Sequence, residues 1–297
     1  MSTPQPTVTV VIPAHNRADH VGEAIESVLS QTRPADRIVV VDDASTDATP
    51  TVLRSFGARI TAVRSDVNIE RGAARNLGVR HSDTDYVAFL DSDDRWAAGK
   101  LGEQLRLAAP RRAVVTPMRQ MDGHGDLYGG VLRAAPDAIT RLSVENSFPG
   151  AGSSLLVSRE DFAAAGGFPE QREVQGSEDW VLLLRLRAAG VQIVTTQHPT
   201  LHVRIHAANS TGSAETVERC MLSALDVIDQ EELVPASARP ELHARTRAVL
   251  AAMHARDRSW PRAYRHSRAA WATGARRIAA VGSARAALSA ARSLYRG

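Results

Sequence analysis

The chain has 297 residues, 43% of them apolar, enough to bury the core of one large domain or of one domain with an appendage. A single cysteine, Cys220, excludes an internal disulfide framework, and no apolar run reaches the length of a membrane-spanning helix. The net charge of +3 conceals an asymmetry: residues 241–297 hold twelve arginines against Glu241 and Asp257, a net +10, which leaves −7 on the first 240 residues.

The first hundred residues alternate two kinds of pattern. Thr7–Pro13 is a β-branched run suited to a strand buried on both faces. Val21, Ala24, Ile25, Val28 and Leu29 then recur with helical period. Arg37–Val41 predicts a second buried strand, Thr49–Phe56 a short helix, Arg59–Arg64 a third strand, Arg71–Val79 a helix and Tyr86–Leu90 a fourth strand. This order predicts an α/β fold with a mostly parallel central sheet sandwiched by helices. Farther on, Ala113–Pro117 and Ser153–Val157 predict strands, and Met121–Asn146 reads as loop with short strands. Ser177–Ala189 predicts a helix capped by Ser177 and ended by Gly190, followed by a strand over Val191–Thr196. From Ala214 the pattern is helical, interrupted near Pro235, Pro240 and Pro261. We therefore expect one domain over residues 1–212 and a helical, Arg-rich appendage over 213–297.

Polar clusters follow three of the predicted strands: Ala14-His15-Asn16, then Asp42-Asp43-Ala44-Ser45-Thr46-Asp47, then Asp91-Ser92-Asp93-Asp94. Ligands of open α/β sheets sit beyond the carboxyl ends of the strands, where these clusters fall. Three carboxylates within four residues repel one another, and a hard divalent cation, Mg²⁺ or Mn²⁺, relieves that repulsion while bridging to substrate phosphates. A solvated turn of Asp and Ser is the competing reading, and Asp42 or Asp43 could equally cap a turn. Arg71 and Arg75 share a helical face, either as anion ligands or as a solvated stripe. Glu178-Asp179 opens a predicted helix, where acids also favour the helix N-terminus for purely structural reasons.

Taken together, Val10-Val11-Ile12-Pro13-Ala14-His15-Asn16, Val41 to Asp47, Asn68 through Arg75-Asn76, Leu90 to Asp94, Gly166-Gly167-Phe168 and Glu178-Asp179-Trp180 resemble glycosyltransferase family 2, inverting enzymes of the GT-A fold. The resemblance covers about residues 7–210. It implies transfer of a sugar from a nucleotide diphosphate donor, UDP or another nucleotide, to a hydroxyl of a glycan, lipid-linked or small-molecule acceptor. It assigns Pro13, Ala14, His15, Asn16, Asp42, Arg71, Arg75, Asp91 and Ser92 to the nucleotide. In the family an aromatic usually precedes the Asn of the first motif, and here His15 stands there. The resemblance gives Asp93 to the metal and Asp179 to general-base catalysis, and assigns Glu178 and the Gly152 loop to the acceptor. Trp180 either lines the acceptor site or packs in the core. His206 either approaches the metal or is a surface histidine.

Two other activities compete. A sugar-1-phosphate nucleotidyltransferase should carry a Gly-rich, basic phosphate loop after the first strand, where Pro13-Ala14-His15-Asn16 stands instead. A nucleotide-sugar-binding protein without catalysis is opposed by Asp93 and Asp179. No dinucleotide fingerprint follows an early strand, which argues against a dehydrogenase. In the basic C-terminal region, Trp260, Tyr264 and Trp271 lie close in sequence to many arginines. Solvated arginine faces, contact with an anionic membrane surface and a homodimer interface are the three readings; no nucleic-acid-binding module is recognisable. The short polar segment Met1–Thr7 lacks a signal-peptide pattern, so the expected location is the cytoplasm, with peripheral contact at the inner face of the membrane as an open reading.

Overall fold

A computed structural model of the chain describes residues 5–134, 141–142, 150–205 and 213–273. The chain divides into two compact units, residues 1–136 with 148–206 and residues 137–147 with 207–297.

The first unit is built on a seven-stranded sheet. Its strands are β1 (Val8–Ala14), β2 (Arg37–Asp43), β3 (Thr61–Ser65), β4 (Tyr86–Phe89), β6 (Arg112–Val115), β9 (Leu156–Ser158) and β10 (Gln192–Thr195), in the order β10-β6-β9-β4-β1-β2-β3. All neighbours run parallel except β9, which is antiparallel to both β4 and β6. Every residue of β1 is buried, as its unbroken β-branched run requires. Val8, Val10 and Ile12 point to one side, against α1 (Val21–Leu29). On the opposite side, Val39 and Val41 pack with Ala74 of α3 (Glu70–Arg80). Helix α2 (Thr49–Ser55) follows β2, and α4 (Lys100–Leu107) precedes β6. A smaller sheet, β5 (Arg95–Trp96), β11 (Leu201–Arg204), β7 (Met118–Met121) and β8 (Leu127–Leu132), has the order β5-β11-β7-β8.

Two local predictions change. Ser153–Val157 is not one strand. Gly150 adopts φ 63°, its carbonyl accepts the Ser153 and Ser154 N–H groups, and Ala151–Ser154 closes a single helical turn, α5, before β9 begins at Leu156. Helix α6 (Arg159–Ala164) comes next, then α7 (Glu178–Ala188). Ser177 does not cap α7 with its side chain. The opening acids bond the nearby backbone instead: Glu178 Oε2 accepts from Gly176 N–H at 2.5 Å and Asp179 Oδ1 from Trp180 N–H at 2.8 Å.

The second unit contains α8 (Ala214–Gln230), α9 (Arg239–Arg256) and α10 (Trp260–Ala272). Ser213 caps α8 by accepting the Thr216 N–H. Glu218 of α8 receives the Nε2 of His254 from α9 at 2.8 Å and that of His266 from α10 at 2.9 Å, so one carboxylate ties three helices together. The three side chains are close enough to hold a metal ion. Arg247 Nη1, however, lies 3.4 Å from His266 Nδ1, and Arg262 lies 3.7 Å from Glu218. A guanidinium donating to Nδ1 leaves the His266 proton on Nε2, facing the carboxylate, so this imidazole donates to the Glu218 anion.

Two predictions follow from this packing. A Cβ at position 78 would lie 2.3 Å from Val11 Cγ1, so only glycine lets α3 approach β1 this closely. Gly78→Ala should lower the unfolding free energy by about 1–3 kcal/mol in urea titrations; unchanged stability would refute the tight contact. In the second unit, burial holds His266 below its ordinary value of 6.5, against the opposing charge of Glu218. A depressed pKa means that the stability contributed by neutral His266 is complete above the unfolded value and is lost as pH falls through the folded one. Hydrogen-exchange protection of α8–α10 should therefore decline as pH drops below about 6.5; protection that stays constant down to about pH 5 would contradict it.

Candidate active site

The carboxyl ends of β4, β1 and β2 lie side by side in the sheet, which brings the three polar clusters to one edge. The loops after β1 and β2 are laced together. Asn16, at φ 51°, accepts the Thr46 N–H through Oδ1 at 2.8 Å, and its own N–H donates to Ser45 Oγ at 2.9 Å. The exposed His15 ring is fixed at both nitrogens, by the Asp43 carbonyl at 2.6 Å from Nδ1 and by Asn16 Nδ2 at 3.1 Å from Nε2. Those partners put the proton on Nδ1 and leave the faces of a positioned ring available for stacking. Pro13 and Ala14 are buried beneath it.

Asp42 and Asp43 have different partners. Asp43 accepts the N–H groups of Ile69 at 2.7 Å and Glu70 at 3.0 Å, so it caps α3 from a neighbouring strand. Asp42 accepts the Ser45 N–H at 3.0 Å and pairs with Arg64. Parallel pairing of β2 with β3 sets Asp42 opposite Arg64, a partner the sequence reading did not identify.

At the centre of the edge lies Arg75, almost wholly buried on α3. Its Nη1 donates to Glu178 Oε1 at 2.8 Å and its Nη2 to Asp91 Oδ1 at 2.5 Å. Its guanidinium lies 4.9 Å from the centre of the Phe168 ring. Burial disfavours the charged form, but Asp91 and Glu178 outweigh it and raise the pKa further. The solvated-stripe reading therefore fails for Arg75. Arg71, partly buried one turn away, contributes charge that helps hold Asp91 and Glu178 ionised. Asn76 fastens α3 to the glycine turn: its Oδ1 accepts the Phe168 N–H at 3.0 Å and its Nδ2 donates to the Phe168 carbonyl at 2.9 Å.

Asp179 follows Glu178 at the start of α7. The Gly152 N–H lies 3.3 Å from its Oδ2, and the Trp180 N–H donates to Oδ1. Burial and then the Glu178 charge push its pKa up to about 7, against the pull of Arg75 and the two backbone donors. A Cβ on Gly152 would stand 3.0 Å from Arg75 Nη2, so this glycine makes room for the guanidinium. Trp180 has no exposed surface. It packs in the core, which selects the second of its two sequence readings over the acceptor site.

The acidic cluster after β4 is relieved differently at each position. Asp91 is ionised against Arg75, and its backbone N–H donates to Ser153 Oγ at 3.0 Å. Ser92 is buried. Asp94 is buried too, and burial followed by the charges of Asp93 and Asp91 raises its pKa well above the ordinary value. It accepts Ser153 Oγ–H at 2.7 Å and Arg204 N–H at 3.0 Å. A cation is therefore not needed to neutralise all three acids, as their spacing had implied. Asp93 faces Arg17, whose Nε lies 3.4 Å from Asp93 Oδ2. Asp91 and Asp93 keep partly accessible carboxylate oxygens, the hard donors that Mg²⁺ or Mn²⁺ prefers, and the guanidinium against Asp93 shows that positive charge fits there. His206 lies outside the described residues. The sequence reading also missed Arg204, which is buried and whose Nη2 donates to Glu23 Oε2 at 2.7 Å. Its Nε donates to the Asp93 carbonyl at 2.9 Å.

Ligands of open α/β sheets bind beyond the carboxyl ends of the strands, which is where these ionisable groups gather. Residues 9–148, a little under half of the chain, match the family described as glycosyl transferase family 2. The chain is 37% identical over 114 residues to TuaG of Bacillus subtilis, named for teichuronic acid biosynthesis; that match covers 37% of this chain and 45% of the relative. It is 26% identical over 203 residues to an Escherichia coli protein named UDP-Glc:alpha-D-GlcNAc-diphosphoundecaprenol beta-1,3-glucosyltransferase, covering 68% of this chain and 78% of that one. The mannosyltransferase PcManGT from Pyrobaculum calidifontis, solved with GDP-Man and Mn²⁺, superposes with a TM-score of 0.61 at 25% identity, covering 96% of this chain and 81% of that one. The GT-A fold follows from this likeness.

Arg75→Met leaves the buried Glu178 and the neighbouring Asp91 without their shared counter-charge. The expected loss is about 3–5 kcal/mol of unfolding free energy, read by urea denaturation. A change below about 1 kcal/mol would show that the guanidinium does not carry these two acids.

Proposed function

We propose that the chain is an inverting, divalent-metal-dependent glycosyltransferase that moves a sugar from a nucleotide diphosphate donor, UDP-linked by preference, to a hydroxyl of a glycan, lipid-linked or small-molecule acceptor. The observation that carries this reading is the pairing, at the start of one helix, of an ionised Glu178 with an Asp179 whose pKa is pushed up to about 7. A carboxylate with that affinity for protons can take one from an acceptor hydroxyl as its oxygen attacks the anomeric carbon, and can still be ionised near neutral pH. The new bond forms from Asp179's side as the bond to the diphosphate breaks opposite, which inverts the anomeric centre without a covalent enzyme intermediate. Glu178 is the candidate for orienting acceptor hydroxyls, and the Gly152 loop for shaping their site.

The donor is assigned to the ends of β1, β2 and β4. The pinned ring of His15 offers a stacking face for a base, and Asp42 an acceptor for its N–H groups once Arg64 is displaced. Arg71 is the candidate for meeting phosphate charge. Asp93, with Asp91 beside it, would hold Mg²⁺ or Mn²⁺, and the bound ion would supply charge stabilisation to the departing diphosphate. The relative solved with GDP-Man and Mn²⁺ supports that donor class, and the relative named for a diphosphoundecaprenol acceptor supports a lipid-linked one. We place the domain boundary near residue 212, with the helical region as an appendage. Among the described residues no helix is long and apolar enough to cross a membrane.

Transfer assays with UDP-sugars and calorimetry with UDP and Mn²⁺ test the assignment together. Asp179→Asn should bind UDP with Mn²⁺ normally and lose at least about 100-fold in transfer. Asp93→Ala should weaken Mn²⁺-dependent UDP binding itself. Because the base acts deprotonated, kcat/KM should rise with pH through about 7 and then level. Full transfer by Asp179→Asn would remove the base, and metal-independent binding and transfer would remove the metal.

A further inference from the structure

We infer that α10 is a membrane-surface element that docks on anionic lipid through its exposed aromatic stripe. Ala263, His266 and Ala270 form its buried face. At about 100° per residue, Trp260, Tyr264 and Trp271 fall within a band only about 40° wide, beside that face. All three are exposed, at 43%, 67% and 47% respectively. Arg268 and Arg265 continue around the helix on the far side of the band, and the helix contains no acidic residue.

The charges match the same occupant. Arg262 is engaged by Glu215 at 3.0 Å. Arg265 and Arg268 have no carboxylate partner among the described residues; Arg268 lies 5.9 Å from the Tyr264 ring centre. Large amphipathic rings flanked by guanidinium groups are what a helix lying in the headgroup layer presents: the rings sit at the boundary with the acyl chains and the arginines meet lipid phosphates. An interface built only to pack against protein would gain from burying the rings, but gains nothing from leaving beside them two cations that have no carboxylate partner among the described residues. The chain's net +10 beyond residue 240 adds long-range attraction to the same kind of surface. This inference does not depend on the reaction proposed above, and its readout is lipid binding, not transfer.

The tryptophans provide a built-in reporter. The chain has four, and Trp96 and Trp180 are buried at 4% and 0% exposure, so only Trp260 and Trp271 can change environment on docking. Full-length protein is mixed with vesicles of phosphatidylglycerol and phosphatidylcholine, or of phosphatidylcholine alone, and followed by co-sedimentation and tryptophan emission. The expected result is sedimentation and a blue shift with the anionic vesicles only, both weakened by salt. Arg265→Gln with Arg268→Gln should weaken partitioning roughly thirty-fold. Trp260→Ala with Trp271→Ala should abolish the blue shift and most of the binding, with unfolding midpoints unchanged in both double variants. Absence of wild-type binding at low salt would overturn the inference, as would binding that neither pair of substitutions alters. A wild-type dimer that dissociates on the tryptophan substitutions, without vesicle binding, would assign the stripe to a second copy instead.

Discussion

The candidate site depends on one buried cation. Arg75 sits on a helix packed against the central sheet and reaches two carboxylates far apart in sequence, Asp91 and Glu178. A guanidinium this deeply buried is costly unless its charge is matched, and matching it obliges both acids to stay ionised. The ionised Glu178 then acts on its neighbour: together with burial, its charge makes Asp179 reluctant to lose a proton. One ion-pair network therefore connects the strand end proposed for the donor to the helix start proposed for the base. Gly78 and Gly152 provide the room, one by letting α3 lie against β1 and the other by leaving space beside the guanidinium.

The acidic turn after β4 shows how a fold can divide a charge problem. Three adjacent acids acquire three states: Asp91 is ionised against Arg75, Asp94 is pushed toward its protonated form in the interior, and Asp93 is left facing Arg17. Only Asp91 and Asp93 retain oxygen that a ligand could reach. Ser153 connects this turn to the Gly152 loop by receiving the Asp91 N–H and donating to Asp94. The donor and acceptor sides proposed here thus share a short hydrogen-bonded seam.

Much of the parallel sheet is readable from sequence, because strands buried on both faces leave unbroken β-branched runs, as in β1 and β2. The strand-end clusters could be read for the same reason, since turns after such strands converge. The antiparallel direction of β9 and the pairing of the small second sheet were not readable: their strands are only two to six residues long, too short for a local pattern to fix their bounds or partners. The one-turn helix α5 was hidden because its direction is set by the left-handed conformation of Gly150. Within the site, the acids could be found from spacing, but their partners could not. Arg64 meets Asp42 through strand register, Arg17 meets Asp93 across two loops, and Arg204 joins Asp94 across more than a hundred residues. Trp180, for which the motif left two readings open, is decided only by burial, since it packs in the core.

The most direct measurement is a ¹³C NMR titration of the aspartate carboxyl groups in the free protein, with Asp179→Asn as the reference that removes one resonance. The network around Arg75 predicts that the missing resonance titrates near pH 7. If it instead titrates in the ordinary aspartate range, near 4, the buried ion pair does not tune Asp179, and the proposed base loses its physical support.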